Sequence, residues 1–397
     1  MASSLGNEYA YFHYMIAQEM LIDDSTLSSY IWLLIAILTF SSGAFFFSVS
    51  RRQHSVPPQS YQSIQFFASQ IDQNAAVKAL CIAFFATFLV AFSWVGSAIF
   101  QFGGVTKLMS LAASENRLAR EVLLNASFPG GRLISSGFIG IAVYSAALIG
   151  AGRSDTSIRK SYLVGCIYIL AMAYLAVIPI LLSGRINFFV AMIGSLVAYS
   201  YSSRRLISGR YVILGVGFLV AVWTAKEYFV LGHIANDVTV ASQGLEGLAF
   251  YIYNDLLNVL NTIGKFDGNY TYGWYSLKFV FFFTFTDKEF FQYIAEAREA
   301  LGYYVTAGEI PLLGAPFVDF GVFGFIVLFG LGFWVQYAYF QSARNIAYVA
   351  IYGLLFAGLI LSVHSSYITS QEVIYSVLLV RLLARISQKT QRESITT

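Results

Sequence analysis

Long apolar runs alternate with short polar ones along almost the whole chain. A helix that crosses a bilayer needs about 20 apolar residues. Runs of that kind occupy residues 30–49, 80–100, 133–151, 162–182, 322–340 and 346–363. Residues 186–203 and 211–225 are shorter runs between polar connections. A ninth, 373–386, contains Arg381 and Arg385, which can snorkel to a nearby surface. Two further stretches are ambiguous. Residues 9–22 are apolar and aromatic but interrupted by His13, Gln18 and Glu19, and read as an interfacial helix; residues 274–285 are broken by Lys278 and either lie on the membrane or dip into it. The pattern predicts an all-α polytopic membrane protein with about nine to eleven transmembrane helices, a single integral membrane domain over residues 1–397.

One long polar interval breaks the series, residues 226–321. It holds Tyr251, Tyr253, Asn254, Asp255, Lys265, Asp267, Tyr270, Tyr272, Trp274, Tyr275, Asp287, Lys288 and Arg298. Aromatic rings mixed with carboxylates, amides and a few cations suit a sugar: rings cover its apolar faces and polar groups take its hydroxyls. Trp274 and Tyr272, with Lys288 and Arg298, are the candidate binding residues here. An aromatic interface belt with a solvated cap would have the same composition.

Composition agrees with the pattern. The chain is 57% hydrophobic and 11% charged, where soluble domains carry about 25% charged residues. A net charge of +3 gives no reason to expect nucleic acid as a partner. Cys81 and Cys166 both sit inside apolar runs, as packed thiols rather than a disulfide or metal framework. The first 27 residues lack the basic, apolar and small-residue succession of a cleavable signal peptide.

Charge sets the expected orientation. The connections after the first, third, fifth, seventh and ninth apolar runs, together with Arg381 and Arg385 in the last part of the ninth, contain fourteen of the 24 Lys and Arg residues. Basic connections face the cytoplasm, which puts residues 226–321 outside, with 102–132 and 364–372 on the same face. Ten cations then stand where cations should be scarce, among them Arg117, Arg120, Arg132, Arg185, Lys288 and Arg298. A phosphate ligand would explain arginines placed against the bias, because the guanidinium fork matches two phosphate oxygens.

Arg185 stands in Ser183-Gly-Arg-Ile-Asn187, a connection with almost no loop, so it is pinned at the outer surface near a helix start. A helix start offers free N–H groups and a positive dipole end to an anion; a snorkelling arginine ending a turn is the alternative. Arg117 and Arg120 lie three apart in a helical pattern and share a face, though Arg117 and Glu121 can pair with each other instead. Arg132 follows Gly130-Gly131 where the chain returns to the membrane. Asp319 sits at the mouth of a span; a charge left in lipid there costs about 2.5–3.5 kcal/mol, so it is expected to face a cavity or a cation, including a structural arginine partner. His364 opens the last outer connection and is either an interface residue or a base. No Asp-x-Asp pair follows the first span, and no Walker loop or zinc motif occurs. The sequence therefore predicts no metal and no cofactor, with arginines neutralising any diphosphate.

Four stretches together resemble the O-antigen polymerase family, the oligosaccharide repeat-unit polymerases of bacterial surface polysaccharide synthesis. They are the outer loop from Gly103-Gly104 to Arg132; Leu182-Ser-Gly-Arg185-Ile-Asn-Phe-Phe; the long loop with Gly273-Trp-Tyr-Ser-Leu leading to Thr286-Asp-Lys288; and Val318-Asp-Phe-Gly-Val-Phe-Gly324, which looks like the family's Asp-Phe-Gly-x-x-Gly. The resemblance covers residues 102 to 397. It implies a metal-independent glycosyltransferase of the bacterial inner membrane, with the long loop in the periplasm. The growing glycan on undecaprenyl diphosphate would pass to a new lipid-linked repeat unit, so donor and acceptor are both undecaprenyl-diphosphate-linked oligosaccharides. Arg185 and Asp319 fall in the matching motifs, and with His364 they are the candidate catalytic residues. The bilayer and a chain-length regulator protein are the other implied partners. The related O-antigen ligases, which transfer glycan to a lipid A core, share this architecture. A flippase or transporter would be expected to show internal repeats and polar mid-membrane residues, and neither is visible in the sequence.

Overall fold

The structure, a computed structural model, describes residues 25–52, 72–107, 110, 130–154, 162–182, 186–204, 217, 259–260, 263, 268, 270–284, 286 and 310–387. Among the described residues there is no strand. The helices are α1 (Ser25–Arg52), α2 (Gln73–Gln101), α3 (Gly131–Ser135), α4 (Gly137–Ser154), α5 (Tyr162–Leu182), α6 (Ile186–Ser203), α7 (Lys278–Phe283), α8 (Ala315–Phe320), α9 (Gly324–Ser342), α10 (Ile346–Leu361) and α11 (Gln371–Ser387).

Five described segments are long and apolar enough to cross a bilayer: Ser28–Ser50, Gln73–Gln101, Gly131–Arg153, Ile186–Ser203 and Ala315–Ser342. Each overlaps a run expected from the sequence. Tyr162–Val177 and Ile346–Leu361 are apolar but shorter, and the run at 373–386 lies in α11, which keeps Arg381 and Arg385 exposed. The runs at 211–225 and 9–22 lie outside the described residues. Among the described residues of the ambiguous 274–285 stretch, the six of α7 are helical, too few to cross.

The chain packs as two compact units. One comprises Met1–Phe40, Ile207–Leu328 and Ser362–Ser366; the other comprises Ser41–Leu206, Phe329–Leu361 and Tyr367–Thr397.

The second unit is built around α4, which packs against α6, α5, α11 and α10. Of the most apolar window in Gly131–Arg153, 83% is buried, against 22% for Ser28–Ser50, whose surface is left for lipid. Small residues permit the close crossings: a methyl at Gly150 would strike Ser202 and the Tyr199 carbonyl, and one at Gly353 would strike the Gly194 carbonyl. Such contacts replace the hydrophobic drive that is absent between helices in lipid. Phe47 meets Phe333, Tyr337 and Phe340 edge-on. Asp72 caps α2, its Oδ1 accepting from the N–H groups of Asn74 and Ala75, while its own N–H donates to Ser387 O at the end of α11.

One end of this unit is basic. Arg153 donates to the Tyr199 hydroxyl at 2.5 Å, joining the ends of α4 and α6. Tyr201 packs on Tyr339 and Tyr352, which brings the end of α6 to the α9–α10 turn. Lys78, Arg153, Arg204, Arg344, Arg381 and Arg385 gather here, with Asp72 the carboxylate among the described residues at this end. These are cations from the alternate connections that the sequence marks as basic.

The first unit holds Trp32 by three contacts. Its Nε1 donates to Leu313 O at 2.7 Å, its ring stacks on Phe325 at 4.3 Å, and Phe317 meets it edge-on at 4.5 Å. Ser29 Oγ donates to Leu260 O at 2.7 Å. Leu312 N–H donates to Ser362 O at 3.0 Å, which ties the short segment containing His364 to the stretch containing Asp319.

Candidate functional site

The site of the first unit is two short motifs that interlock, Tyr270-Thr-Tyr-Gly-Trp-Tyr-Ser276 and Asp319-Phe-Gly321. Asp319 is fully buried, and both of its oxygens are occupied. Oδ1 accepts from the Thr271 hydroxyl at 2.5 Å and from Tyr275 N–H at 3.1 Å. Oδ2 accepts from Ser276 N–H at 2.7 Å and from its hydroxyl at 2.5 Å. The backbone adds two bonds: Thr271 N–H to Val318 O and Tyr272 N–H to Asp319 O, each 3.1 Å. Hydrogen bonds that a charged group accepts are the stronger kind. Four of them fix residues 271–276 as one rigid turn.

Two glycines complete the fit. Gly321 has φ +58, and a methyl there would lie 2.8 Å from the Tyr270 ring. Gly273 has φ +99, and a methyl there would lie 3.2 Å from Phe320 Cζ. Each motif therefore seats a ring over the other's glycine. Gly324 passes so close to the Pro316 carbonyl that no side chain fits. The Asp-Phe-Gly-x-x-Gly pattern is thus a docking surface for the aromatic turn, and each named residue in it has a steric or hydrogen-bonding task.

The turn sorts its aromatic residues. Trp274 is buried, packed against Phe281 at 5.8 Å with Lys278 Nζ 5.4 Å from its ring, so it supports the turn rather than facing a ligand. Tyr272 is 59% exposed and Tyr270 37% exposed. Tyr272 has φ +46, a left-handed conformation that an aromatic residue rarely adopts. Strain of that kind persists only where the surroundings impose it, and here the imposing groups are Asp319 and Gly273.

Asp319 was expected to face a cavity or a cation. Among the described residues its oxygens accept from neutral hydroxyl and N–H donors, and no cation pairs with it. His364 is half-buried in Ser362–Ser366 of the same unit. Arg132 is described in the second unit, at the start of α3, where its Nη2 lies 3.2 Å from Glu372 Oε1 at the start of α11. The Arg132 side chain is 43% exposed and that of Glu372 11%. Arg117, Arg120, Arg185, Lys288 and Arg298 lie outside the described residues.

Sequence reasoning missed Thr271, Ser276 and Glu372. The hydroxyls carry no signal of their own, because their partner is 43–48 residues away in the chain. Glu372 did carry one: it is an ionisable residue beside an apolar helix, where such groups have partners. Compared with protein-family models, with curated proteins and with solved structures, the chain matches none of them, so the chemistry of the site rests on its own geometry.

Proposed function

We propose that this chain is a membrane glycosyltransferase that polymerises undecaprenyl-diphosphate-linked oligosaccharide repeat units on the outer face of the inner membrane. The observation that carries the reading is the aromatic turn locked beneath by Asp319. It offers exposed tyrosine rings on a rigid support next to apolar, membrane-crossing helices. A glycan on a lipid carrier needs that combination, since the lipid stays in the bilayer while the sugars need ring faces at its surface. The likeness of residues 102–397 to repeat-unit polymerases supports the same reading.

In the proposed reaction an acceptor hydroxyl oxygen attacks the anomeric carbon of the donor glycan. The bond from that carbon to the diphosphate oxygen breaks, and undecaprenyl diphosphate leaves with the electron pair. Stabilising that negative charge is the main catalytic task, assigned to Arg185 with Arg117, Arg120 or Arg132. The acceptor proton goes to a base. With both Asp319 oxygens already accepting two bonds each, His364 is the better assignment, and Asp319 positions the turn.

The deciding experiment is the surface polysaccharide profile of a deletion strain. The expected result is a single repeat unit on each lipid core. Glycan chains left unattached to the core would make the chain a ligase, and lipid-linked units trapped on the inner face would make it a flippase.

A further inference from the structure

The basic end of the second unit has a feature that glycan transfer leaves unused. At the turn between α9 and α10, Arg344 is exposed and its Cζ lies 4.9 Å from the Phe340 ring centroid. A cation seated over a ring is held in place without being neutralised. Beside it, the Tyr337 and Tyr348 hydroxyls lie 3.4 Å apart. From α11, the charges of Arg381 and Arg385 both act on Tyr348. Helix α11 packs on α10, so its Arg381 and Arg385 share this corner with Arg344 and the two phenols, and no carboxylate pairs with any of the three arginines among the described residues. Asp72, the acid described at this end, caps α2.

The same turns of α11 also present an apolar stripe. Leu378, Leu382 and Ile386 are each more than half exposed, spaced four apart so that they share a face. Arg381 and Arg385 lie alongside it. Cations bordering an exposed apolar stripe, at the end of a helix from a membrane bundle, match an anionic phospholipid part by part. Phosphate oxygens meet guanidinium and phenol donors, and the acyl chains lie along the leucines.

We propose that the corner formed by Arg344, Arg381, Arg385, Tyr337 and Tyr348 is a binding site for the phosphate of an anionic phospholipid, separate from the glycan site. The test uses full-length protein stripped of lipid in a neutral detergent. It is titrated with dioleoylphosphatidylglycerol or dioleoylphosphatidylcholine, and bound lipid is counted by native mass spectrometry. Wild type retains the anionic lipid in preference to the zwitterionic one. Arg344→Gln and Arg381→Gln each weaken retention several-fold and the pair more than about tenfold, in line with roughly 1 kcal/mol for each cation near an anionic surface. Arg153→Gln removes the same charge from the same end, from a side chain bound to Tyr199 between α4 and α6, and leaves retention near wild type.

Three results would overturn the site. They are equal losses in Arg153→Gln and Arg381→Gln, which mean diffuse attraction; undiminished retention in the Arg344/Arg381 pair; and displacement of the lipid by inorganic phosphate at millimolar concentration, which means that the lipid chains contribute nothing. Thermal unfolding of each variant identifies losses caused by misfolding. If Arg344→Gln unfolds early, Arg381→Gln and Arg385→Gln, both at exposed positions of a regular helix, carry the comparison.

Discussion

A buried carboxylate with four neutral donors is intolerant of its own amide. In Asp319→Asn one oxygen becomes an NH2 group, which would point at two of the donors from Thr271, Tyr275 and Ser276. A buried donor left without an acceptor costs about 1–3 kcal/mol, so the variant should unfold at lower temperature in detergent and lose chain growth together with stability. If it keeps its stability and loses only turnover, Asp319 acts as the base and not as the clamp. Tyr272 gives the opposite pattern. Its left-handed backbone costs on the order of 1 kcal/mol that glycine would not incur. Tyr272→Gly should therefore stabilise the fold while weakening retention of an oligosaccharide acceptor, read by thermal shift and by acceptor KM on one preparation. A rise in stability with unchanged KM would remove Tyr272 from the glycan site.

Helices were the legible part of this chain, and their pairings were not. Apolar length located α1, α2, α4 and α9, because a bilayer-crossing run is long enough to stand out from its polar flanks, and α6 was read as a shorter run between polar connections. The break between α3 and α4 at Ser136 was not visible, since Leu133 through Ala151 reads as one apolar run. The site was legible by residue and not by role: Asp319 and Tyr272 were singled out, yet their meeting depends on contacts across more than 40 residues that no local period encodes. Trp274 shows the limit from the other side, because a residue type suited to sugars is used here as packing. Helix α6 starts at Ile186, and the sequence puts Arg185 directly before it, in a connection with almost no loop. If it stabilises the departing diphosphate, Arg185→Ala should slow chain growth by about 10²–10³-fold, the scale for removing one oxyanion donor. Arg185→Lys should recover only part, having a point charge in place of a fork. A well-expressed Arg185→Ala protein that still makes full-length polysaccharide would reduce the residue to an interface anchor.

At the scale of the whole molecule the expected orientation can be measured directly. Single cysteines replacing Ser203 and Asn269, in a background lacking Cys81 and Cys166, are exposed to a membrane-impermeant thiol reagent on intact cells. Labelling at 269 with protection at 203 is the expected pattern, and the reverse would invert the assignment of faces. The gathering of Lys78, Arg153, Arg204, Arg344, Arg381 and Arg385 at one end of the second unit, against Asp72, has an electrical consequence as well. Each charge carried across an energised membrane exchanges about 2.3 kcal/mol with a voltage of 100 mV. For these described charges alone, lying on the positive side of an inside-negative membrane instead of the negative side costs on the order of 10 kcal/mol. If this end faces the cytoplasm, as the charge pattern predicts, the resting voltage of the cell acts as a sorting force on newly made chains.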